Sequence, residues 1–208
     1  MKIGIDGRML IFPYTGVAQY IKNLVRELAD ITPENEYVIV VPKRFDKESV
    51  SFPPNCRIVS LVEKKIGASL ARVWWEQITV PEFFVKEKVD VAWFPFPTNP
   101  WTKDWYKKGI KTVVTVHDCV SWTNKKYTRS VLAKMYHGQR RRAVKKADVV
   151  FTVSEASKKD IEKVCKVPAE KIFVVWNDAD EDYKKIPSAD FSEEVLNEFG
   201  LVRDRYFL

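Results

Sequence analysis

Three cysteines, two histidines and no long apolar run set the limits of this 208-residue sequence. Cys56, Cys119 and Cys165 lie far apart and form no C-x-x-C pair, so reduced thiols and a cytoplasmic setting are expected. Two histidines and three scattered cysteines give no zinc-ligand spacing, and no metal is expected. No stretch of about 18 apolar residues occurs, which excludes a membrane-crossing helix. The opening MKIGIDGRML has one lysine and an aspartate at position 6, so it is not expected to be a signal peptide. Internal repeats and low-complexity tracts are absent. From Cys119 to Ala147 there is no acidic residue at all.

That acid-free segment holds nine cations, while the whole chain carries a net charge of only +7. The basicity is therefore a local patch and not a general property of the surface. Elsewhere the composition is ordinary for a soluble globular protein, and the length suits one large domain or two small ones. Seven Trp and twelve Phe supply enough apolar surface for a core and for a partner or groove as well.

Short apolar runs recur along the chain: KIGID (2–6), YVIVV (37–41), RIVSLV (57–62), DVAWF (90–94), KTVVTV (111–116), DVVFTV (148–153) and KIFVVW (171–176). Most are continuous, as strands buried on both faces should be. Between them lie helical patterns. Tyr20, Ile21, Leu24, Val25, Leu28 and Ala29 draw one apolar stripe, and Val131, Leu132, Met135 and Tyr136 draw another. Ser154 is placed to cap a third helix with Ile161, Val164 and Cys165 on its core face. A fourth, 69–88, contains Pro81; Trp74, Trp75, Phe83 and Phe84 are expected in the core, with a groove or a lipid surface as the alternative for part of them. Strands alternating with helices predict an α/β Rossmann-like three-layer sandwich around a mostly parallel sheet of about seven strands. Residues 1–178 are expected to form this domain. Residues 179–208 are expected to hold a linker, a short helix ended by Gly200, and at RYFL the start of a further domain.

The first strand ends at Asp6, and Thr15-Gly16 opens the first helix. A helix N-terminus exposes unpaired N–H groups, and glycine there lets a phosphate or sugar oxygen come close. A plain strand-to-helix turn explains the same residues. The spacing of Gly7 and Gly16 fits no G-x-G-x-x-G, and no Gly-Lys-Ser/Thr of a P-loop follows. His117, closing VVTVHD (113–118), sits at the carboxyl end of its strand, where open α/β sheets bind ligands. A neutral imidazole offers one donor and one acceptor, suited to sugar hydroxyls, but a histidine there can equally end a strand.

Taken in order, I-D-x-R followed by T-G-[IV]-x-x-Y (here Thr15 to Tyr20), VVTVHD, KKADVVFTVSEASKKDI (145–161) and VPAEKIFVVWN (167–177) resemble the family-4 glycosyltransferases of the GT-B fold. The resemblance covers nearly the whole chain and only the family's N-terminal half. It implies a retaining transferase of two Rossmann-like domains facing a cleft. The N-terminal domain would bind the acceptor, and an absent C-terminal domain would bind the nucleotide-sugar with an E-x7-E motif. Glu162 and Glu170 fit that spacing, but they span a helix end and a turn, the wrong context. The nucleotide-sugar enters as substrate, with no tightly bound cofactor and no metal.

By this resemblance His117 is the catalytic candidate, beside the donor sugar. Tyr14, Thr15, Gly16, Val17, Phe96, Thr98, Asn99, Asp118, Ser154 and Glu155 are candidates for the acceptor cleft. The family's second glycine and arginine are replaced by Ala18 and Gln19. For Ser154-Glu155 a helix cap plus first-turn acid is the competing explanation, and for Asp118 a turn cap. Lys125, Lys126, Arg129, Arg140, Arg141 and Arg142 form either a solvated helix face or a face toward anionic lipid on the inner side of a membrane. No helix-turn-helix, RRM or OB signature supports nucleic acid as the partner. The acceptor would be lipid-linked or an oligosaccharide. Two non-enzymatic alternatives remain open: a self-contained α/β sugar- or nucleotide-binding module, and a basic membrane- or nucleic-acid-associated adaptor.

Overall fold

Each apolar run becomes a strand: β1 (Lys2–Asp6), β2 (Glu36–Pro42), β3 (Cys56–Leu61), β4 (Val91–Phe94), β5 (Lys111–Thr115), β6 (Val149–Thr152) and β7 (Ile172–Val174). The computed structural model describes residues 1–100, 105, 108–128, 130–178, 189–202 and 205. The strands form one sheet in the order β3-β2-β1-β4-β5-β6-β7, every neighbour parallel. From β1 the chain builds outward through β2 to β3, then returns to the other side of β1 to lay down β4. The loops after β1 and β4 therefore part in opposite directions and leave a crevice at the carboxyl edge.

Side-chain alternation divides the interior in two. On β2, Val40 belongs to one cluster with Phe84, Phe94 and Val144, while Ile39 and Val41 belong to another with Ile21, Val25 and Trp93. Successive residues of a strand point to opposite faces, so the sheet is the middle of three layers. This is the Rossmann-like sandwich the alternation predicts.

Thr15 caps α1 (Gly16–Ile31), its Oγ1 accepting from the Ala18 N–H at 3.4 Å. The expected stripe is realised, with Ile21 and Val25 wholly buried. The long helix expected around Pro81 is continuous but not uniform. It comprises α2 (Ala68–Trp74), a π-helical turn (Trp75–Thr79) and α3 (Val80–Glu87). Proline has no N–H to give the preceding turn, and here the widened turn comes directly before it. Of the aromatics expected in the core, Trp75 and Phe84 are buried, whereas Trp74 is 40% exposed. Phe84 lies so close to β1 that a Cβ on Gly4 would stand 2.6 Å from its ring.

After β5 come α4 (Val120–Thr123) and α5 (Val131–Lys146), the latter capped by Ser130. The stripe expected on α5 is not a core face. Val131 and Met135 are 72% and 63% exposed, and the buried contacts come from Ala143 and Val144 near the other end. At 16 residues α5 is about 24 Å long, while β5 and β6, of 5 and 4 residues, reach only about 17 Å and 13 Å. The helix overhangs the sheet at its start.

Ser154 caps α6 (Glu155–Cys165), whose Ile161 and Cys165 are buried as expected. The described residues divide into two units, Met1–Asn177 and Asp178–Leu208. In the second, α7 (Ala189–Glu198) ends at Gly200, whose φ of 63° allows the Leu201 N–H to reach back to the Leu196 carbonyl at 2.8 Å. Of RYFL, only Arg205 is within the described residues. Among the described residues no helix is long and apolar enough to cross a membrane.

Candidate functional site

Asp6 is the last residue of β1 and is completely buried. Its Oδ1 accepts from the Arg8 backbone N–H and from Trp75 Nε1, both at 3.0 Å. Oδ2 has no partner among the described residues. Burial pushes the Asp6 carboxyl above its usual value, outweighing the opposing pull of the Arg8 charge.

The turn stabilised by Asp6 sends Arg8 inward, where Nη2 donates to Glu76 Oε1 at 2.8 Å. Glu76 comes from the π-helical turn, and its other oxygen accepts from Thr98 Oγ1 at 3.4 Å. The Arg8 guanidinium lies 4.6 Å from the centroid of the Phe96 ring. Strand ends β1 and β4 and the widened helix turn thus meet in one buried polar knot. Removing one partner of such a pair costs about 3–5 kcal/mol, because the other charge stays buried.

His117 follows β5. Its Nε2 lies 3.0 Å from the Pro95 carbonyl. A carbonyl only accepts, so Nε2 carries the proton and Nδ1 presents a lone pair, which takes no hydrogen bond from a described residue. Tyr20 of α1 packs edge-on against the ring at 4.9 Å, and the His117 carbonyl accepts from Ser157 Oγ at 3.1 Å. Burial lowers the imidazole pKa from its usual value, against the Pro95 contact and the Asp118 charge, and so favours the neutral ring. Asp118 itself is exposed, its Oδ1 accepting from the Val120 N–H at 2.9 Å.

A cleft of about 1190 Å³ runs past these strand ends. Val17, Phe96, His117, Asp118 and Arg140 line it, together with Arg8, Arg72, Trp75, Glu76 and Tyr136. The remaining sequence candidates lie elsewhere. Tyr14 is almost fully exposed and Thr15 is committed to the α1 cap. A Cβ on Gly16 would meet nothing within 4 Å, and the residue has no positive φ, so the chain itself does not demand glycine there. Thr98 and Asn99 are buried: Thr98 supports Glu76, and Asn99 Nδ2 donates to the Ala143 carbonyl at 3.4 Å. Ser154 accepts from the Ser157 N–H at 3.1 Å, with Glu155 exposed in the first turn of α6. That is the geometry of a helix cap.

Arg140 parts company with the other basic candidates. It faces the cleft, donating from Nε to the Pro97 carbonyl at 3.1 Å. One turn back on the same helix face stands Tyr136, which it shares with Arg72. Arg141 and Arg142 are exposed and border a separate hollow of about 510 Å³ with Lys145 and Lys166. Lys126 is exposed at the start of a 3-10 turn that begins with Lys125, and Arg129 lies outside the described residues. Among the described residues no three His, Cys, Asp or Glu side chains are grouped so as to hold a metal.

Glu76 and Arg72 gave no sign in the sequence, and Tyr136 showed only as part of an apolar stripe. Arg8 had a sign, the D-x-R at the end of β1. Glu76 lies 68 residues from Arg8, and no local pattern announces that pairing.

An all-parallel sheet in this strand order, covered by helices on both faces and with a crevice at its carboxyl edge, defines a Rossmann-like α/β domain. The family model described as Glycosyltransferase Family 4 matches residues 14–183, and the chain belongs to that family. Three solved structures share the fold. Anabaena Alr3699/HepE, in complex with UDP and glucose, is 13% identical, with a TM-score of 0.59 over 96% of this chain and 50% of that one. A glycosyltransferase from Rickettsia africae is 16% identical, with a TM-score of 0.55 over 98% and 50%. A ugt transferase from Siraitia grosvenorii, in complex with UDP, is 11% identical, with a TM-score of 0.57 over 95% and 55%. The search of curated proteins finds no match. The chain spans about half the length of these solved proteins, and its fold is that of the N-terminal half of a GT-B enzyme.

Proposed function

We propose that the chain is the acceptor-side half of an enzyme that transfers a sugar from a nucleotide-sugar to an acceptor with retention, and that it is inactive alone. The observation that carries this reading is His117. Its neutral ring is fixed by the Pro95 carbonyl at the wall of the crevice, with Nδ1 left to accept from a hydroxyl. A hydrogen bond from a sugar hydroxyl to Nδ1 would orient the donor sugar. The opening of α1, with open space at Gly16, would admit a phosphate or sugar oxygen to the backbone. Asp118 is given no proton-transfer role, since its carboxylate serves the turn into α4. A C-terminal domain would supply the nucleotide site across the cleft, and the nucleotide-sugar enters as substrate without a metal.

The exposed Arg141, Arg142 and Lys126, beside the uncovered Val131 and Met135, support a peripheral role at an anionic membrane on the cytoplasmic side. Such binding to vesicles should fall sharply with moderate salt.

The functional test is made in the intact enzyme. There His117→Ala should lower transfer by at least about tenfold, the worth of one hydrogen bond made in a dry site, while the fold survives. Unchanged transfer would leave His117 as a strand terminator. Measurable transfer by the 208-residue chain alone would remove the claim of inactivity.

A further inference from the structure

The cleft holds more positive charge than its acids can balance. Glu76 is taken by Arg8 at 2.8 Å and Glu63 by Arg44 at 3.2 Å, while Asp118 caps a turn. Lys43, Lys64, Lys65, Arg72 and Arg140 line the same cleft without a carboxylate partner among the described residues. Two of these are brought together by construction. Arg72 of α2 and Arg140 of α5 lie 4.8 Å and 5.2 Å from the centroid of one ring, Tyr136.

Two guanidiniums on one tyrosine repel each other, and the ring's quadrupole offsets only part of that. Burial is the largest influence on Arg140; the Arg72 and Arg8 charges also lower its pKa, against Tyr136 and Glu76. Among the described residues no carboxylate forms an ion pair with either guanidinium, and Glu76, the acid whose charge acts on Arg140, is already bound to Arg8. Guanidinium forks match phosphate oxygens two at a time, and a doubly charged group would balance both cations.

We infer that the acceptor of this enzyme carries a phosphate or diphosphate group, held between Arg72 and Arg140 over Tyr136. This rests on the reading of the chain as the acceptor-side half. On that reading the nucleotide site lies across the cleft, and the anion at this wall is assigned to the acceptor. A sugar phosphate in solution and a lipid diphosphate offer the same chemistry.

Calorimetric titration of the 208-residue chain with inorganic pyrophosphate tests the inference. Arg72→Gln and Arg140→Gln should each weaken binding by about tenfold, the value of one charge-assisted hydrogen bond. Arg72 is exposed, so its variant is expected to keep the fold, and ligand-free melting checks the Arg140 variant. Lys159→Gln removes one exposed charge from α6, away from the cleft, and should leave binding unchanged. Competition then identifies the source: displacement of pyrophosphate by glucose 1-phosphate supports a soluble acceptor. Displacement by a short-chain polyprenyl diphosphate in detergent supports a lipid-linked one. Equal binding by wild type and both Arg variants, or an equal loss in Lys159→Gln, overturns the inference and leaves the His117 test untouched. UDP binding far tighter than pyrophosphate, with the same dependence on Arg72, assigns the anion to the donor and also overturns it. An intact enzyme that transfers no sugar sinks the functional reading, while the pyrophosphate comparison still reads the anion site.

Discussion

Helices α1 and α5 have the same length, 16 residues, and the same kind of cap, a hydroxyl accepting from an N–H three residues on. Both carry an apolar stripe in sequence. The stripe of α1 is buried against β1 and β2, whereas Val131 and Met135 on α5 face outward. Periodicity identifies a face of a helix, but it does not say whether the fold supplies a partner for that face. On α5 the partner runs out because the strands beneath it have 5 and 4 residues, whereas α1 also has the 7-residue β2 beneath it. The overhang is what carries Tyr136 and Arg140 to the carboxyl edge of the sheet and into the cleft. On α1 the helix stays on the sheet, and only Val17, near its start, reaches that cleft.

The difference can be broken most directly by truncating each stripe. Ile21→Ala removes a fully buried side chain and should cost about 2–5 kcal/mol in urea unfolding, whereas Val131→Ala should stay within about 0.5 kcal/mol. A comparable loss from Val131→Ala would mean that α5 is covered in solution. The caps should erase the contrast. Thr15→Ala and Ser130→Ala each remove one N–H acceptor and should each cost about 1 kcal/mol. A much smaller loss at Ser130 would show that the overhanging end of α5 contributes little to the folded state.

The histidines sharpen the same comparison, with the smallest effect. His117 packs on Tyr20 of α1, and His137 on its neighbour Tyr136 in α5. Both are held below the usual imidazole value, chiefly by burial, and for His137 also by the Arg140 and Arg141 charges. A depressed folded pKa means that the unfolded chain takes up the proton first. Each contribution is therefore fully present above about pH 6.5 and is lost as pH falls through the lower folded value. Urea midpoints at pH 7.5 and 5.5 should fall less for His117→Gln and for His137→Gln than for the parent. The larger rescue is expected at His117, where burial is greater. An unchanged pH slope in His117→Gln would mean that the ring takes up its proton as freely in the fold as in the unfolded chain.

What was legible in the sequence follows from local physics. The seven strands were visible because strands under helices on both faces must be continuously apolar. The α1 stripe, the Ser154 cap and the Gly200 stop were visible because each depends on residues within one or two turns. His117 at a strand end was visible because the carboxyl edge of a parallel sheet is where its loops gather. The buried knot was not visible in this way. Asp6, Arg8, Glu76 and Thr98 converge from β1, a π-helical turn and the loop after β4, and sequence patterns carry no distance information across such gaps. Arg140 was visible as a charge and was assigned to the outer face, because composition reports how many cations a helix has but not which way each one points.

The sequence by itself determined the α/β alternation, the parallel sheet, the basic segment and the histidine at the end of β5. These depend on side-chain polarity and on the spacing of residues along the chain. Only the tertiary structure decided that the crevice opens beside β1 and β4, that Arg8 is bound to Glu76, and that Arg72 and Arg140 meet on Tyr136. Those outcomes depend on strand order and on the length of a helix relative to the sheet it covers. Both are settled by packing the whole domain and not by any one segment.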